Sequence, residues 1–513
     1  MTAILVPGLT CGRMLAAPPS GVLVDVRSFY ASLYDAFERA ERSILMLGWQ
    51  FESKVALLHG ADAEGRTHPI QLVELLRALC EERPHLHVHI LAWDASAVFA
   101  FERVPLQRLM FTVRGHTRVH YRQDRQHPFG ASHHQKLVVV DRSIAFVGGM
   151  DVCNSRWDDR THHAHDPERR SHGMRYGPYH DVHAFVTGDP VDVLRGWFRD
   201  RWRRATGDEL PGDDGLPRRR IPIRPTLDLS ARCIGLARTW PRIEERPRLQ
   251  RAPLSELAEL HIRAIALAER VIYLENQYLS SWAIAEALVR RMRRAVPRLE
   301  IVLVLPKQSR GFKERISIGV YQARILDRLG RVAAETGHRL GVYYTVSPGE
   351  HGDVPVFIHG KVLAVDDRFV LVSSANLSNR SMGFDSELGV AWESPEPQAS
   401  LRAVRTSLLA EHAGVAPSVV EPLEGLVGRL DDLARSRAHR LRLHGRNRDE
   451  LPGRILSRLL PDGDTPLDPR EPRVMEEALP EPVAYLDRAF RDPLLVLVRA
   501  VRGLTLRMRR RFA

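Results

Sequence analysis

Apolar residues along the chain recur first at helical spacing and then in short continuous runs. Residues 28–51 and 255–278 each begin with an amphipathic helical pattern and end in an apolar run typical of a buried strand. Residues 75–94 and 288–307 each contain a helical pattern, a proline and a second apolar run. Helices that alternate with apolar strands predict an α/β fold in which helices cover the sheets.

The same order of elements occurs twice. The tripeptide Ala-Glu-Arg at 40–42 returns at 268–270, and the segment HQKLVVVD at 134–141 is matched by HGKVLAVD at 359–366. Because the matched segments keep their order, we infer duplication of a module of roughly 190 residues. The sequence therefore predicts two duplicated α/β-sheet lobes packed about a pseudo-twofold axis.

Composition sets the expected domain boundaries. We expect a weakly ordered lead over residues 1–20 and a first lobe over 21–210. Residues 211–250 begin with a segment rich in Pro, Gly and Arg and are expected to be a linker. The second lobe is expected over 251–420, and basic helical patterns predict a helical C-terminal appendage over 421–513.

The strongest chemical pattern is His-x-Lys-x-x-x-x-Asp, which occurs once in each copy of the module. The candidate catalytic residues are His134, Lys136 and Asp141 in the first copy and His359, Lys361 and Asp366 in the second. A histidine and a lysine two residues apart on a strand face the same side. Two copies facing each other would place two imidazoles and two ammonium groups around one pocket. The aspartates lie at the far ends of their strands, where a structural role is equally open.

Such a pocket suits a phosphodiester. A neutral imidazole can attack phosphorus and form a phosphohistidine. An opposite imidazolium can donate a proton to the leaving oxygen and later activate the acceptor. Ammonium groups stabilise charge on the non-bridging oxygens, so we expect no metal and no other cofactor. The chain has only five lysines among 75 basic residues, and two of the five occupy this motif.

Residues that follow each motif are candidates for supporting roles. Small residues let a backbone approach a ligand, and a carboxylate can orient a histidine through its second ring nitrogen. The supporting candidates are Gly149, Asp151 and Asp158 in the first half and Ser374, Asn376, Asp385 and Glu387 in the second. Asn376 could donate to phosphate oxygens, whereas Asp151 would orient a neighbouring group. We assign histidine orientation to Asp158 or its neighbour Asp159, and to Asp385 or Glu387.

The doubled motif, with GGMDVCNSRWDD, YHDVH, LENQYL and SSANLSNRSMGFDSE around it, resembles the phospholipase D superfamily, and most of all bacterial phospholipase D and transphosphatidylase sequences. The resemblance covers about residues 25–415. It implies metal-independent hydrolysis of phosphatidylcholine-type glycerophospholipids to phosphatidic acid, with phosphatidyl transfer to alcohols. It also implies that His134 is the nucleophile and His359 the general acid. Ser373 stands where the family usually has glycine.

Three other functions stay open. One is a cardiolipin synthase-like phosphatidyltransferase, which the lack of N-terminal spanning segments disfavours. Another is a nuclease of the same superfamily, which the net charge of +12 permits. The third is a non-catalytic lipid-binding protein, which two intact motifs disfavour. We expect a phospholipid at a membrane surface, with water or an alcohol as acceptor and no nucleic acid. The oligomeric state is open, a monomer being plausible.

Composition bears on location. Apolar residues make up 44% and charged residues 27%, as in soluble globular proteins. The four cysteines form no CxxC pattern, which favours a reducing compartment. We find no signal peptide pattern and no run of about 18 apolar residues that would span a bilayer. The expectation is a protein of the cytoplasm, or one peripheral to the inner membrane surface.

Some patterns have two interpretations. Residues 162–183 contain six histidines, but their spacing matches no familiar metal-ligand set, so a structural segment is favoured over a metal site. Residues 275–278, Trp49 and Trp157 either line the pocket or belong to the core. The basic segment 493–513 either lies on an anionic membrane or forms a solvated helix.

Overall fold

The computed structural model describes residues 2–94, 107–128, 130–210, 217–242, 253–309, 312–445 and 468–469. In chain order, the strands of the first half are β1 (Arg13–Ala16), β2 (Ser20–Val24), β3 (Ser43–Gly48), β4 (His87–Trp93), β5 (Val119–Asp124), β6 (Leu137–Val140), β7 (Ile144–Gly148), β8 (Arg170–Ser171), β9 (Met174–Arg175), β10 (Tyr179–His180), β11 (Val182–Val186) and β12 (Leu227–Leu229).

The strands of the second half are β13 (Cys233–Trp240), β14 (Leu254–Ser255), β15 (Val271–Glu275), β16 (Glu300–Val304), β17 (Arg339–Ser347), β18 (Val354–Pro355), β19 (Phe357–Ile358), β20 (Val362–Val365), β21 (Phe369–Ser373), β22 (Glu387–Glu393) and β23 (Leu441–Leu443). The helices are α1 (Asp25–Phe37), α2 (Leu72–Glu82), α3 (Gln107–Arg114), α4 (Asp189–Thr206), α5 (Glu256–Ala266), α6 (Trp282–Met292), α7 (Phe312–Thr336), α8 (Ala399–Ala413), α9 (Pro417–Val420) and α10 (Leu426–Arg435). Among the helices in these ranges, none is long and apolar enough to cross a bilayer.

Two large sheets have the same topology. The first has the strand order β12-β2-β11-β7-β6-β3-β4-β5, and the main path of the second is β1-β13-β22-β21-β20-β15-β16-β17-β18. Strands β3, β4 and β5 are parallel, as are β15, β16 and β17, whereas β6 and β20 are antiparallel to their neighbours. The predicted fold of two duplicated α/β lobes is confirmed.

The two sheets share one hydrophobic core. A single cluster of buried residues contains Leu137 and Val147 from the first sheet together with Val372 and Val390 from the second. A second cluster lies between the first sheet and α1 and α2, and a third lies between the second sheet and α5, α6 and α7. Burial of both sheet faces explains the continuous apolar runs of the sequence.

Paired strands lie within the segments expected to be the N-terminal lead and the linker. Residues 1–20 include β1, which pairs with β13, and Ile4 and Leu5 are buried. The expected linker 211–250 contains β12, which pairs with β2, and β13, which pairs with β22. By topology β13 corresponds to β2, so the second module begins before residue 251. The Pro- and Arg-rich residues that precede β13 led to the prediction of a linker, so this strand was not predicted.

The first part of the expected appendage completes the second lobe. Helices α9 and α10 follow residue 416, and β23 then pairs with β17. Residues 446–467 and 470–513 lie outside the described residues, and with them the membrane-binding hypothesis for 493–513.

The aspartates that end the two motifs hold backbone rather than face the histidines. Asp141 Oδ1 accepts hydrogen bonds from the N–H groups of Arg42 and Ser43, and its Oδ2 accepts from Glu41. Asp366 accepts from the three equivalent N–H groups of residues 269–271, at 2.7–2.9 Å. Each carboxylate thus caps the turn before β3 or β15, which explains why Ala-Glu-Arg and Asp recur together.

Replacing Asp366 with Asn should lower the free energy of unfolding by about 1–3 kcal/mol, because an amide nitrogen then faces a buried N–H donor. Asn tolerates the positive φ of 53° at this position, so the change tests the carboxylate alone. Urea denaturation of both variants measures the effect, with Asp432→Asn as control because that side chain is 82% exposed. Equal stability of the two variants would contradict the capping role.

Candidate active site

The two motif histidines are each held by backbone of the opposite lobe. His134 comes just before β6, and its N–H donates to the carbonyl of Ser386 at 2.9 Å. His359 comes just before β20, and its N–H donates to the carbonyl of His180 at 2.8 Å. Next to this bond, β10 and β19 pair as a short parallel ladder between the lobes. The backbone therefore fixes both histidines at the lobe interface.

A carboxylate from the opposite lobe also orients each imidazole. Glu387 lies 3.0–3.1 Å from Nδ1 of His134, and Oδ2 of Asp181 lies 2.5 Å from Nδ1 of His359. A carboxylate on Nδ1 fixes the tautomer and leaves Nε2 as the nitrogen that can meet a substrate. The two pairs are equivalent, since Asp181 immediately precedes β11 and Glu387 begins β22, the corresponding strand of the second sheet.

The other predicted orienting residues lie elsewhere. Asp158 binds Arg169 and His162, and Asp159 binds Arg27 and Thr161. Asp385 pairs with Arg380 and accepts a hydrogen bond from the N–H of Ser132. Of the four candidates, only Glu387 contacts a motif histidine in the structure.

Asp181 was not among the predicted orienting residues, which were acids that follow each motif at a similar distance. A different pattern would have found it: an acidic residue at the start of the last apolar strand of each module, in Asp181-Val182 and Glu387-Leu388. The crossing of each acid to the opposite lobe is not visible in either module alone.

The two lysines have unlike partners. Nζ of Lys136 lies 3.0 Å from Oδ2 of Asp151, whose Oδ1 also accepts from the N–H of Trp49. Nζ of Lys361 donates to Oε1 of Gln277 at 3.2 Å and to the carbonyl of His359 at 2.5 Å. Gln277 therefore places one residue of segment 275–278 beside the pocket, whereas Glu275 is fully buried behind it.

Three smaller candidates pack around these groups. Ser374 donates its hydroxyl hydrogen bond to Glu387. A Cβ on Gly149 would lie 2.7 Å from Oδ1 of Asp181, so this position admits no larger residue without displacing the carboxylate. Oδ1 of Asn376 is buried and has no hydrogen-bond partner among the described residues.

Burial and nearby cations keep both histidines neutral in the free protein. The pKa of His134 lies well below its ordinary value, first because the ring is desolvated and then because of Lys136 and Lys361. The pKa of His359 is lowered by desolvation, then by Lys361 and by Arg156, a cation that the sequence analysis did not select. The guanidinium carbon of Arg156 lies 5.2 Å from the centre of the Tyr179 ring.

The same burial affects the other charged groups of the pocket. Desolvation lowers the pKa of Lys361 to about 7, and it raises the pKa of both Asp181 and Glu387 to about 7. A site in which desolvation opposes several of the charges gains from an anion that its cations can share.

Comparisons with known proteins agree with this geometry. The family described as "Cardiolipin synthase, PLD-like domain" matches residues 261–406. Phospholipase D alpha 1 of Zea mays is 24% identical over 77% of this chain, and Phospholipase D A of Dictyostelium discoideum is 24% identical over 71%. The chain spans 65% of the maize protein's length and 32% of the Dictyostelium protein's.

Among solved structures, phosphatidylserine synthase from Haemophilus influenzae has a similar fold, with a TM-score of 0.54 at 14% identity. The alignment covers 83% of this chain and 95% of that one. Together with the doubled motif, the family match and the phospholipase D relatives support assignment of the chain to the phospholipase D superfamily.

Replacing Lys361 with Met should raise the pKa of His359 and of His134, because a buried cation that opposes their protonation is removed. Histidine Cε1–H chemical shifts, followed by NMR across pH, measure both values. Lys307→Met is the matched control, because its ammonium lies over the ring of Tyr344 and is not among the cations that lower the pKa of either histidine. Unchanged histidine pKa values in Lys361→Met would mean that burial alone sets them.

Proposed function

We propose that this chain is a phospholipase D-type phosphodiesterase. It hydrolyses phosphatidylcholine-type glycerophospholipids to phosphatidic acid and transfers the phosphatidyl group to alcohols. The observation that carries the proposal is the pair of histidines, each oriented by a carboxylate of the opposite lobe, beside the cations Lys136, Lys361 and Arg156. Curated relatives named phospholipase D support the substrate class.

In the first step, Nε2 of His134 attacks phosphorus and the bond to the headgroup oxygen breaks. His359 donates its proton to that oxygen, so the headgroup leaves with a neutral hydroxyl group and not as an alkoxide. The resemblance to the family assigns His134 as nucleophile and His359 as acid. In the second step, His359 removes a proton from water or an alcohol, whose oxygen attacks the phosphohistidine and releases His134.

The substrate itself prepares the acid for this chemistry. In the free protein, Lys361 and Arg156 help to hold His359 neutral. A bound phosphodiester brings one negative charge among the cations and so favours the imidazolium form of His359. The same cations stabilise the additional charge that builds on phosphorus oxygens in the transition state. Lysine suits this position because it supplies a compact charge on a flexible stem.

A second candidate is a phosphatidyltransferase in which the acceptor is a second lipid or another alcohol. The match of residues 261–406 to the cardiolipin synthase description favours it. The similarity in fold to a phosphatidylserine synthase shows that such a two-lobed scaffold also occurs in a synthase. Both candidates use the same two histidines and differ in the acceptor that reaches the phosphohistidine.

Incubation with phosphatidylcholine vesicles and ethanol should give both phosphatidic acid and phosphatidylethanol. Ethanol should raise the share of phosphatidylethanol at the expense of phosphatidic acid, because both products arise from one intermediate. His134→Asn should reduce both products by at least about a thousandfold, since it removes the nucleophile. The exposed His163→Asn variant is the control and should retain turnover.

Other outcomes of that assay are also decisive. Turnover of phosphatidylglycerol to a cardiolipin-type product, without phosphatidylcholine hydrolysis, would favour the phosphatidyltransferase. Cleavage of oligonucleotides by the same pocket would replace both lipid proposals with a nuclease. Folded protein that releases no alcohol from any of these substrates would overturn the assignment of a phosphodiesterase.

The pH dependence should be bell-shaped, because one histidine starts neutral and the other protonated. The alkaline limb of kcat should lie at higher pH than that of kcat/KM, since bound phosphodiester raises the pKa of His359 above its value in the free protein. Steady-state rates measured between about pH 5 and 9 test this. In Lys361→Met the difference in pH between the alkaline limb of kcat and that of kcat/KM should become smaller. A rate that rises steadily over the whole range would contradict the roles of the histidines.

A further inference from the structure

Behind the pocket, four buried side chains converge where the lobes meet. This interlobe cluster consists of Asp25 at the start of α1, His162 before β8, His180 in β10 and Glu411 in α8. Three of the residues are fully buried and Glu411 is 8% exposed. The chemistry proposed above assigns no role to these four side chains, although the backbone carbonyl of His180 accepts the N–H of His359.

The donor atoms of the cluster have the spacing of metal ligands. Nδ1 of His180 lies 2.9 Å from Oδ1 of Asp25 and 3.0 Å from Oε1 of Glu411. Nε2 of His162 lies 3.0 Å from the same oxygen of Glu411 and 3.5 Å from Oδ2 of Asp25. Ligands of tetrahedral zinc, at about 2.0–2.2 Å from the ion, are separated by about 3.3 Å. The whole set lies within 4.8 Å.

Hydrogen bonding accounts for only one of these four contacts, that between Nε2 of His162 and Oε1 of Glu411. Nδ1 of His180 and Oδ2 of Asp25 are buried, and no hydrogen bond of acceptable geometry reaches them among the described residues. The atoms are therefore close enough to bond but are not aligned for proton sharing. A buried nitrogen and a buried oxygen in that state point to a missing partner between them.

Each histidine also has the outer carboxylate typical of a metal ligand. Nδ1 of His162 lies 2.8 Å from Oδ2 of Asp158, and Nε2 of His180 lies 2.9 Å from Oε1 of Glu275. The nitrogens that face the cluster are Nε2 of His162 and Nδ1 of His180. Carboxylates behind ligand histidines fix the tautomer and raise the basicity of the coordinating nitrogen.

The charges around the cluster leave room for a dication. Asp158 pairs with Arg169 and Glu411 pairs with Arg160. The ion-pair contacts of Asp25 and of Glu275, within the described residues, are with histidines alone. Two carboxylates thus lack an arginine or lysine at ion-pair distance, and a dication would take the place of protons on the neighbouring histidines as their counter-charge.

We propose that Asp25, His162, His180 and Glu411 bind one zinc-type dication that joins the two lobes. Two imidazole and two carboxylate ligands suit Zn²⁺, and four protein ligands leave no position for a substrate, so the site is structural. Glu411 comes from α8 of the second lobe, whereas the other three ligands belong to the first. This proposal does not depend on the proposed lipid chemistry.

The first experiment measures zinc in the full chain purified without a metal-affinity column. Elemental analysis should find about one zinc per chain. The variant His162→Gln should lose nearly all of it. The adjacent, exposed His163→Gln should retain it, which separates the site from general binding by the histidine-rich segment.

A second measurement keeps the proposal testable if His162→Gln does not fold. Metal-free wild-type chain is titrated with Co²⁺, which should give the visible absorption of a four-coordinate ion at one equivalent. Added Zn²⁺ should abolish that absorption and raise the melting temperature of the wild type and of His163→Gln. Folded wild type that contains no zinc, shows no cobalt band and gains no thermal stability would overturn the proposal.

Discussion

The crossed pairing of histidine and carboxylate is the constraint on which the rest of this structure depends. Each motif histidine belongs to one lobe, while the carboxylate on its Nδ1 and the carbonyl on its backbone N–H belong to the other. Neither lobe alone therefore contains an oriented imidazole. The shared core between the sheets is what holds the two half-sites at the required distance.

Burial gives this pocket its chemical character. Desolvation opposes the charged forms of Lys361 and Glu387, lowering the pKa of Lys361 to about 7 and raising that of Glu387 to about 7. Such a site holds its cations at a cost in the free protein and recovers part of that cost when an anion binds. Electrostatic preference for a phosphodiester thus follows from the depth of the pocket as much as from the identity of the side chains.

The repeated elements could be predicted from the sequence, whereas the contacts between the two lobes could not. His134, Lys136, His359 and Lys361 could be predicted because strand alternation and duplication are both local properties of the chain. Asp181 could not be predicted as the partner of His359, because 178 residues separate them and the link forms only when the lobes pack.

Proximity along the sequence also gave wrong expectations for one acidic residue and one strand. Asp158 lies in the expected place after its motif, but Arg169 and His162, which are nearer to it in sequence than His134, bind it instead. Strand β13 was hidden by the Pro- and Arg-rich residues that precede it, although its pairing with β22 repeats the pairing of β2 with β11.

The segment around β10 connects the pocket with the interlobe cluster. Tyr179 packs 5.4 Å from the ring of His359, Asp181 binds that ring, and His180 between them faces the cluster. This alternation is the ordinary period of an extended strand. The backbone carbonyl of His180 also accepts the N–H of His359. Whatever fixes the side chain of His180 therefore fixes two contacts of His359 as well, so an ion held there would order the pocket without touching the substrate.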